Sequence, residues 1–180
     1  MIRAQFHEPI NTIEHDIIIT PKMSFGTGHH ATTYMMIQQM RDMDFKNKSV
    51  LDFGTGTGIL AILAEKLGAS NITAIDIDEW SITNAMENIE QNKSEKIKIK
   101  LSSQIPDQTF DIILANINRN IIFQNLEFLK KAICEKGYIL MSGLLKTDEN
   151  EMVETCLKMN LLLIKRYEQD NWISLLLRPL

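Results

Sequence analysis

Three glycines at alternate positions, together with two nearby aspartates, form the most informative chemical pattern in the sequence. Gly54, Gly56 and Gly58 follow a short apolar run, and Asp52 stands two residues before the first of them. Glycine lets the backbone turn sharply and approach a ligand that a Cβ atom would exclude. Asp76 comes 22 residues after Gly54, at the end of the next apolar run, where a carboxylate can accept hydrogen bonds from ribose hydroxyls. The pattern predicts a nucleoside-binding site.

The spacing of the glycines bears on which nucleoside is bound. A dinucleotide fingerprint has glycines at Gly-x-Gly-x-x-Gly, but the third glycine position is Ile59 here. Residues 52–58, with the pattern Asp-x-Gly-x-Gly-x-Gly, instead resemble the first motif of S-adenosylmethionine-dependent methyltransferases. The backbone would then approach the methionine and ribose parts of the ligand, with no pyrophosphate to hold. The alternative is that the glycines only form a tight turn between a strand and a helix.

A further polar position closes the fourth predicted strand. Asn116 follows the apolar run 112–115, and its amide can accept a hydrogen bond from a substrate N–H. Many amine methyltransferases begin Asn/Asp-Pro-Pro-Tyr/Phe there, whereas residues 116–120 read Asn-Ile-Asn-Arg-Asn, which disfavours methylation of a nucleobase or of a release-factor glutamine. The Asn-Ala-x-x-Asn pattern of residues 84–88 is common in the second helix of this class, or is plain helix surface. Asp78 is interpreted as a helix N-cap rather than a ligand.

The elements that must position these residues alternate between strand and helix from residue 49 onward. Strands are predicted over 49–53, 71–75, 97–101, 110–115, 137–142, 161–166 and 172–178, and helices over 32–43, 59–67, 79–92, 121–134 and 148–159. Residues 167–171 are too few for a crossover helix, so the last two strands form a hairpin. Five alternating βα units require a mostly parallel sheet between helix layers. We therefore predict an α/β, doubly wound, Rossmann-like domain with a mostly parallel seven-stranded sheet and a C-terminal antiparallel hairpin.

Composition limits the class of protein. The chain has 180 residues, of which 44% are hydrophobic and 23% charged, as in one globular domain. A formal charge of −4 argues against nucleic-acid binding, and Lys96, Lys98 and Lys100 are interpreted as guards of a sheet edge. Cys134 and Cys156, both on predicted helices, lack metal-ligand spacing. Since no apolar run is long enough to span a bilayer or to form a signal peptide, we expect a cytoplasmic protein without membrane contact.

A second glycine-bearing run makes a resemblance to one family specific. Residues 25–33 read Phe-Gly-Thr-Gly-His-His-Ala-Thr-Thr. Together with residues 52–62 and 115–117, they are similar to the PrmA family, methyltransferases that modify protein eleven of the large ribosomal subunit. The family pattern is Phe-Gly-Thr-Gly-x-His-x-Thr-Thr, commonly with Pro where this chain has Ala31. The resemblance runs from about Phe6 into the last strand.

The resemblance implies roles for individual residues. A loop that closes over the methyl group and the incoming amine would be formed by Phe25, Gly26, Thr27 and Gly28. Together with the motif pattern, the resemblance implies a cofactor-binding set of Thr33, Asp52, Gly54, Gly56, Gly58, Asp76 and Asn116. Asn116 would also orient the amine. His30 matches the family histidine, or it is a turn residue that holds backbone carbonyls.

The activity implied by the resemblance is protein methylation. Methyl groups would pass from S-adenosylmethionine to lysine side-chain and N-terminal amines of that basic ribosomal protein, leaving S-adenosylhomocysteine. We expect residues 1–30 to be an N-terminal linker and cofactor-closing loop, and residues 31–180 to be the methyltransferase domain. We expect the family's N-terminal substrate-recognition domain to be absent, so that the chain is either a catalytic fragment or a naturally short enzyme. We favour the fragment, which would bind cofactor but methylate its protein substrate poorly.

Methyl transfer from a sulfonium to an amine is an in-line displacement with a good leaving group, so the protein mainly supplies orientation and desolvation. The nucleophile must be a neutral amine, and a dry loop over residues 25–28 would favour that form. Asn116 would aim the amine, and no residue stands out as a general base. The alternatives are a methyltransferase for another amine (another protein, an RNA base or a small molecule), a non-catalytic cofactor-binding module, and a nicotinamide oxidoreductase, which Ile59 disfavours.

Overall fold

The computed structural model describes residues 2–3, 15–20 and 30–180. Within these residues the strands are β1 (Ile2–Arg3), β2 (Ile17–Ile18), β3 (Ser49–Phe53), β4 (Asn71–Asp76), β5 (Ile97–Leu101), β6 (Phe110–Asn116), β7 (Ile133–Leu145), β8 (Leu161–Gln169) and β9 (Trp172–Pro179). The helices are α1 (Ala31–Arg41), α2 (Ile59–Lys66), α3 (Glu79–Gln91), α4 (Arg119–Ala132) and α5 (Glu149–Lys158). Among the described residues, no helix is long and apolar enough to cross a membrane.

Seven strands form one sheet in the order β5-β4-β3-β6-β7-β9-β8. All neighbours pair in parallel except β9, which runs antiparallel to both β7 and β8. The predicted hairpin is therefore confirmed, and its turn consists of Asp170 and Asn171, both with positive φ (51° and 65°). Two left-handed residues match the right-handed twist of the strands that they join.

Apolar side chains cover both faces of the sheet, which confirms the doubly wound α/β fold. On one face Leu51 belongs to a buried cluster that includes residues of α4 and α5. On the other face Val50 belongs to a cluster that includes residues of α1 and α2. Adjacent strand residues point to opposite faces, so a strand that is buried on both sides must be continuously apolar. Residues 112–115 of β6 meet this requirement, whereas β3 departs from it at the buried Asp52.

The topological switch point lies between β3 and β6. From β3 the chain winds outward through β4 to β5, and from β6 it winds the other way to β7. Phe53 pairs with Ile75 on β4 and with Ala115 on β6. The three strands therefore end level with one another, and Gly54, Asp76 and Asn116, which follow the paired residues, lie at the same edge. Ligands of open α/β sheets bind in the crevice at such an edge.

Two details of the predicted elements are wrong. Residues 102–109, between β5 and β6, contain no helix, so the strict βα alternation fails there. Eight residues that include Pro106 are too few for a helix and its return. Cys134 lies at the start of β7 rather than in a helix, because Phe110 pairs with Ile133 before the chain bulges. The pairing resumes when Ile112 meets Tyr138.

The outermost strand on one side of the sheet is β5, which carries Lys98 and Lys100. Both lysines are exposed, whereas Ile97 and Ile99 pack against the core. The interpretation of these lysines as residues of a sheet edge is confirmed. Charged side chains on an edge strand oppose pairing with another chain.

Candidate active site

A cavity of about 740 Å³ occupies the crevice at the switch point. Its walls come from seven segments of the chain. These are the loops that follow β3, β4 and β5, the loop after β6 together with the first turns of α4, the first turn of α1, and single residues of β7 and β9. A volume of this size is typical of sites for small molecules and cofactors.

The glycine loop, defined as residues 54–58, begins directly after β3. Gly54 has a left-handed backbone (φ +77°), and a Cβ atom there would lie 2.1 Å from Cγ2 of Ile117. The Gly54 and Thr55 backbone N–H groups both donate to the Ile75 carbonyl of β4, at 2.9 and 3.0 Å. Gly54 and Gly56 line the cavity. The loop is thus tied to β4 by its backbone and presents more backbone than side chain to the cavity.

Asp76 is held by two backbone N–H groups on the cavity wall. Its Oδ2 accepts from the Gly56 N–H at 2.9 Å, and its Oδ1 accepts from the Asp78 N–H at 3.1 Å. The residue is half-buried and lines the cavity. A carboxylate has about four acceptor positions, so two remain after these bonds. The predicted position of Asp76 beside the glycine loop is therefore found, with capacity to accept two hydroxyls.

Two of the predicted cofactor residues, Asp52 and Gly58, do not line the cavity in the described part of the chain. The Asp52 carboxyl is 1% exposed, and its Oδ2 accepts from the Thr55 hydroxyl at 2.6 Å. Burial raises the pKa of Asp52 to about 6, although hydrogen bonding from Thr55 and from the Ala61 backbone opposes the rise. Asp52 Oδ1 has no hydrogen bond of good geometry to any described residue. Asp52 thus supports the loop from below.

Gly58 is the N-cap of α2 and has a left-handed backbone (φ +80°). A Cβ atom there would lie 3.3 Å from the Ala85 Cβ of α3, so the glycine also permits close packing of two helices. Gly58 does not line the cavity in the described part of the chain. Its place in the fold is that of a turn and packing residue, and direct contact with a cofactor stays a prediction.

Asn116 and Thr33 form one polar pair at the end of β6. The Asn116 Nδ2 donates to the Thr33 hydroxyl at 3.1 Å, whereas the Asn116 Oδ1 is buried without a hydrogen-bond partner among the described residues. Asn116 lines the cavity, but Thr33 is fully buried in the first turn of α1 and is absent from the described lining. The structure brings the two predicted residues together. It places Thr33 as the support of Asn116.

His30 caps α1 at the cavity. Its ring Nδ1 accepts from the Thr32 backbone N–H at 3.3 Å and lies 2.9 Å from the Thr32 hydroxyl. Its ring meets the Trp172 ring edge-on, with 5.1 Å between centroids. His30 is thus the N-cap of α1, and both its match to the family histidine and its role as a turn residue that holds backbone carbonyls stay predictions. The other predicted loop residues, Phe25, Gly26, Thr27 and Gly28, lie outside the described residues.

Sequence reasoning missed two residues of the cavity wall. Gly143 has φ +90°, and a Cβ atom there would lie 2.0 Å from the Ile117 carbonyl oxygen, so β7 and the loop after β6 approach one another closely. A lone glycine within a strand signals such a bulge or approach, and this signal was available in the sequence. Trp172 begins β9 and lines the cavity beside His30. No local pattern identified Trp172, because its position depends on the hairpin docking against β7.

Asp78 is confirmed as a helix N-cap. Its Oδ2 accepts from both the Ser81 backbone N–H and the Ser81 hydroxyl at 2.9 Å, and these bonds lower the pKa of Asp78. Among residues 2–3, 15–20 and 30–180, no group of three or more His, Cys, Asp or Glu side chains is placed to hold a metal ion.

The family model described as "Ribosomal protein L11 methyltransferase (PrmA)" matches residues 1–179. A protein of Porphyromonas gingivalis named ribosomal protein L11 methyltransferase is 42% identical over 182 residues, which cover 99% of this chain and 63% of that protein. A protein of the same name from Thermotoga neapolitana is 35% identical, with 89% of this chain and 61% of that protein covered. The chain thus spans a little under two thirds of the length of these relatives.

Solved structures show the same fold. The crystal structure of a ribosomal protein L11 methylase from Lactobacillus delbrueckii subsp. bulgaricus superposes with a TM-score of 0.90 at 29% identity, covering 98% of this chain and 92% of that one. A methyltransferase from Pyrococcus furiosus, at 19% identity and a TM-score of 0.74, shares the fold alone. Since the family model matches nearly every residue, the chain belongs to the ribosomal protein L11 methyltransferase (PrmA) family.

Proposed function

We propose that this protein transfers methyl groups from S-adenosylmethionine to lysine side-chain and N-terminal amines of ribosomal protein L11. The observation that carries the proposal is the arrangement of two groups on one cavity. Asp76 is held against the Gly56 N–H with acceptor capacity left, and the Asn116 Oδ1 is buried there without a hydrogen-bond partner among the described residues. The Asp76 carboxylate suits the hydroxyls of a ribose, and the Asn116 Oδ1 suits the N–H of a substrate amine. Family membership supports the same assignment.

The cavity fits S-adenosylmethionine in its polar and apolar parts. The free acceptor positions of Asp76 suit the two ribose hydroxyls, and the backbone of Gly54 and Gly56 allows the close approach that the methionine part requires. Ile77 follows Asp76, lines the same cavity and is 70% exposed, so it offers an apolar surface to a flat heteroaromatic ring. When bound, S-adenosylmethionine supplies an electrophilic methyl group on a sulfonium sulfur.

The residues of the chain would act mainly on the amine. A lysine amine, with an ordinary pKa of about 10.4, must be neutral to act as a nucleophile, and removal from water favours the neutral form. Asn116 Oδ1 accepts one amine N–H and thereby fixes the direction of the nitrogen lone pair, which is an orientation effect. Trp172 and Ile121 line the cavity and exclude water from it. We assign no general base.

The remaining parts of the proposal come from the resemblance. Phe25, Gly26, Thr27 and Gly28 form a loop over the methyl and amine groups, residues 1–30 serve as linker and closing loop, and residues 31–180 form the transferase domain. A net charge of −4 suits a basic, lysine-bearing partner. An enzyme that modifies a ribosomal protein would act in the cytoplasm.

Calorimetry with S-adenosylhomocysteine and with NAD tests the cofactor assignment. We expect S-adenosylhomocysteine to bind with a micromolar or lower Kd. NAD should bind at least about 100-fold more weakly, because the cavity has no Gly-x-Gly-x-x-Gly loop to hold a pyrophosphate. Tight NAD binding without binding of S-adenosylhomocysteine would identify a nicotinamide enzyme and overturn the proposal.

Incubation with purified ribosomal protein L11 and S-adenosylmethionine tests the substrate. Mass spectrometry of the product should show mass increases of 14 Da or its multiples on lysine or N-terminal amines, where a methyl replaces a hydrogen. The Asn116→Ala variant should give little or no increase. Methylation of RNA or of an unrelated protein, with L11 left unmodified, would identify a transferase for another amine. Cofactor binding without any methyl transfer would identify a non-catalytic module.

A further inference from the structure

Asn88 of α3 is completely buried, although the motif that contains it is also compatible with an exposed helix surface. Both the donor and the acceptor of its side-chain amide form hydrogen bonds. The Nδ2 donates to the Thr57 carbonyl at 2.9 Å, and the Oδ1 accepts from the Thr20 backbone N–H at 2.9 Å. One planar amide therefore bridges two backbone segments that lie 31 residues before it and 68 residues before it.

The two bridged segments differ in their relation to the cavity. Thr57 lies between Gly56, which holds the Asp76 carboxylate, and Gly58, which begins α2. Thr20 ends the N-terminal segment, defined as residues 15–20, whose Ile17 packs in the core cluster that contains α2 residues. Asn88 is thus a direct polar connection between the glycine loop and the N-terminal segment.

We propose that Asn88 is a positioning residue that couples the glycine loop to the N-terminal segment. A ligand on the glycine loop fixes the Thr57 carbonyl, which fixes the Asn88 amide and so strengthens its bond to the Thr20 N–H. Coupling between two sites is reciprocal, so an anchored N-terminal segment also strengthens ligand binding. This inference rests on the proposed function, because the ligand of the loop is taken to be S-adenosylmethionine or its product.

Neighbouring amides hold the same elements without making this bridge. The Asn84 Oδ1 accepts from Asn88 Nδ2 at 3.5 Å and so favours its orientation. Asn92 accepts from the Ile18 N–H at 3.0 Å and donates to the Ile18 carbonyl at 2.7 Å. The hydrogen bonds of the Asn92 side chain therefore anchor the N-terminal segment to α3 and, within the described part of the chain, do not reach the glycine loop, which makes Asn92 a matched control for Asn88.

Hydrogen exchange followed by mass spectrometry tests the coupling. In the wild type, saturating S-adenosylhomocysteine should slow exchange of the Thr20 amide at least several-fold. In Asn88→Ala this ligand-induced slowing should disappear, and the Kd for S-adenosylhomocysteine should rise about ten-fold because the buried Thr57 carbonyl loses its donor. In Asn92→Ala, Ile18 should exchange faster without ligand, but the slowing at Thr20 and the Kd should stay within about two-fold of the wild type.

The proposal is overturned if Asn88→Ala keeps the wild-type slowing at Thr20, or if Asn92→Ala abolishes it equally, since the effect would then come from general packing. If the alanine variant does not fold, Asn88→Asp takes its place in the experiment. An aspartate keeps an acceptor for the Thr20 N–H, but its carboxylate cannot donate to the Thr57 carbonyl and repels it. That variant should also lose the slowing at Thr20, and its retention would contradict the bridge.

The ligand-free proteins separate this inference from the proposed function. Without any ligand, Asn88→Ala should speed exchange at both Thr20 and the glycine-loop amides, whereas Asn92→Ala should affect only residues 15–20. If the wild type does not bind S-adenosylhomocysteine, the proposed function fails, but this comparison still decides whether Asn88 couples the two segments. Exchange that is unchanged at the glycine loop in Asn88→Ala would refute the coupling.

Discussion

The Asn116 side-chain amide donates a 3.1 Å hydrogen bond to the Thr33 hydroxyl, across a separation of 83 residues. The bond joins the end of β6 to the first turn of α1. Because it occupies the Nδ2, it orients the Asn116 side chain and leaves the Oδ1 buried, without a hydrogen-bond partner among the described residues. An acceptor fixed in this way is suited to orient a substrate amine. Thr33 thus acts on the site through Asn116.

Thr33→Val removes the hydroxyl but keeps the shape of the side chain. Asn116 then loses the hydrogen bond that orients its side chain. We expect kcat to fall about 10- to 100-fold, which is typical when a residue that orients an active-site group is replaced. The Kd for S-adenosylhomocysteine should change less than about three-fold. Thr33→Ser, which keeps the hydroxyl, should restore most of the rate. The measurement is steady-state methylation of L11 beside calorimetry.

Asn116→Ala provides the complementary measurement. It should nearly abolish turnover and leave the affinity for S-adenosylhomocysteine within several-fold of the wild type. If the two quantities fell by equal factors, Asn116 would be a cofactor contact rather than a residue that orients the amine.

Asp76→Asn keeps the size of the side chain but places an NH2 group opposite one of two backbone N–H donors, from Gly56 and Asp78. We expect the affinity for S-adenosylhomocysteine to fall at least ten-fold, because one fixed acceptor is lost and a donor now faces a donor. Isothermal calorimetry at constant pH measures the change. An unaltered Kd would remove Asp76 from the binding site.

Asp78→Ala is the matched control two residues away. It removes the cap that accepts from Ser81 and should lower the free energy of unfolding by about 1 kcal/mol. Since the Asp78 carboxylate does not line the described cavity, the Kd for S-adenosylhomocysteine should stay within about two-fold. Urea unfolding beside calorimetry separates the two effects.

Gly143→Ala tests the close approach of β7 to the loop after β6. Its Cβ would lie 2.0 Å from the Ile117 carbonyl oxygen, so the Ile117 peptide and the adjoining Asn116 must shift. We expect kcat to fall at least about ten-fold, because small displacements of an orienting group are costly. Its left-handed backbone should also lower the free energy of unfolding by about 1–2 kcal/mol or more.

Gly68→Ala has a comparable backbone (φ +105°) but lies outside the cavity, with 3.3 Å between its Cβ and the Lys46 Cα. It should lower the free energy of unfolding by about 1–2 kcal/mol and leave kcat unchanged. Urea unfolding and initial rates measure both variants. Equal effects of the two substitutions on kcat would show that the contact with Ile117 does not position Asn116.

Asp52 predicts a pH dependence of stability. Burial raises its pKa in the folded protein from 3.8 to about 6, so the folded state binds the proton more tightly than the unfolded state. The stability contributed by the protonated form is full below pH 3.8 and is lost as the pH rises through 6. Since one pKa unit corresponds to about 1.4 kcal/mol, the loss is about 3 kcal/mol.

Asp52→Asn keeps an acceptor for the Thr55 hydroxyl and cannot titrate. The free energy of unfolding of the wild type, relative to this variant, should therefore fall by about 2.4 kcal/mol between pH 4 and pH 7, which is most of the total loss, and be constant above that range. Urea unfolding of both proteins at several pH values measures the difference, in which the other titrating groups cancel. A difference that does not change with pH would contradict a raised pKa at Asp52.

Much of the fold was predictable because its signals are local. Continuous apolar runs such as 112–115 indicate strands buried on both faces, and the short gap before β9 requires a hairpin. The prediction failed where a distant partner decided the outcome. Cys134 continues a helical pattern, yet it lies in β7 because Ile133 pairs with Phe110. Such pairings cannot be deduced from the segment alone.

Part of the candidate site could likewise be predicted from the sequence, and part could not. The positions of Asp76 and of the glycine loop followed from motif spacing, because a loop and a strand end that are close in the sequence meet at one edge of a parallel sheet. The role of Thr33 and the place of Trp172 did not follow. Both depend on how α1 and the C-terminal hairpin dock on the sheet.

The sequence by itself determined the doubly wound fold and the residues at the ends of β3, β4 and β6, since each depends on periodicity or spacing along the chain, and its motifs carried the resemblance to the family. The tertiary structure alone decided which of those residues face the cavity. Asp52 and Asp76 are both aspartates of motif positions, but burial beneath the loop makes one a support and leaves the other able to bind a ligand. Burial and hydrogen-bond partners are set by segments that meet only in the folded chain.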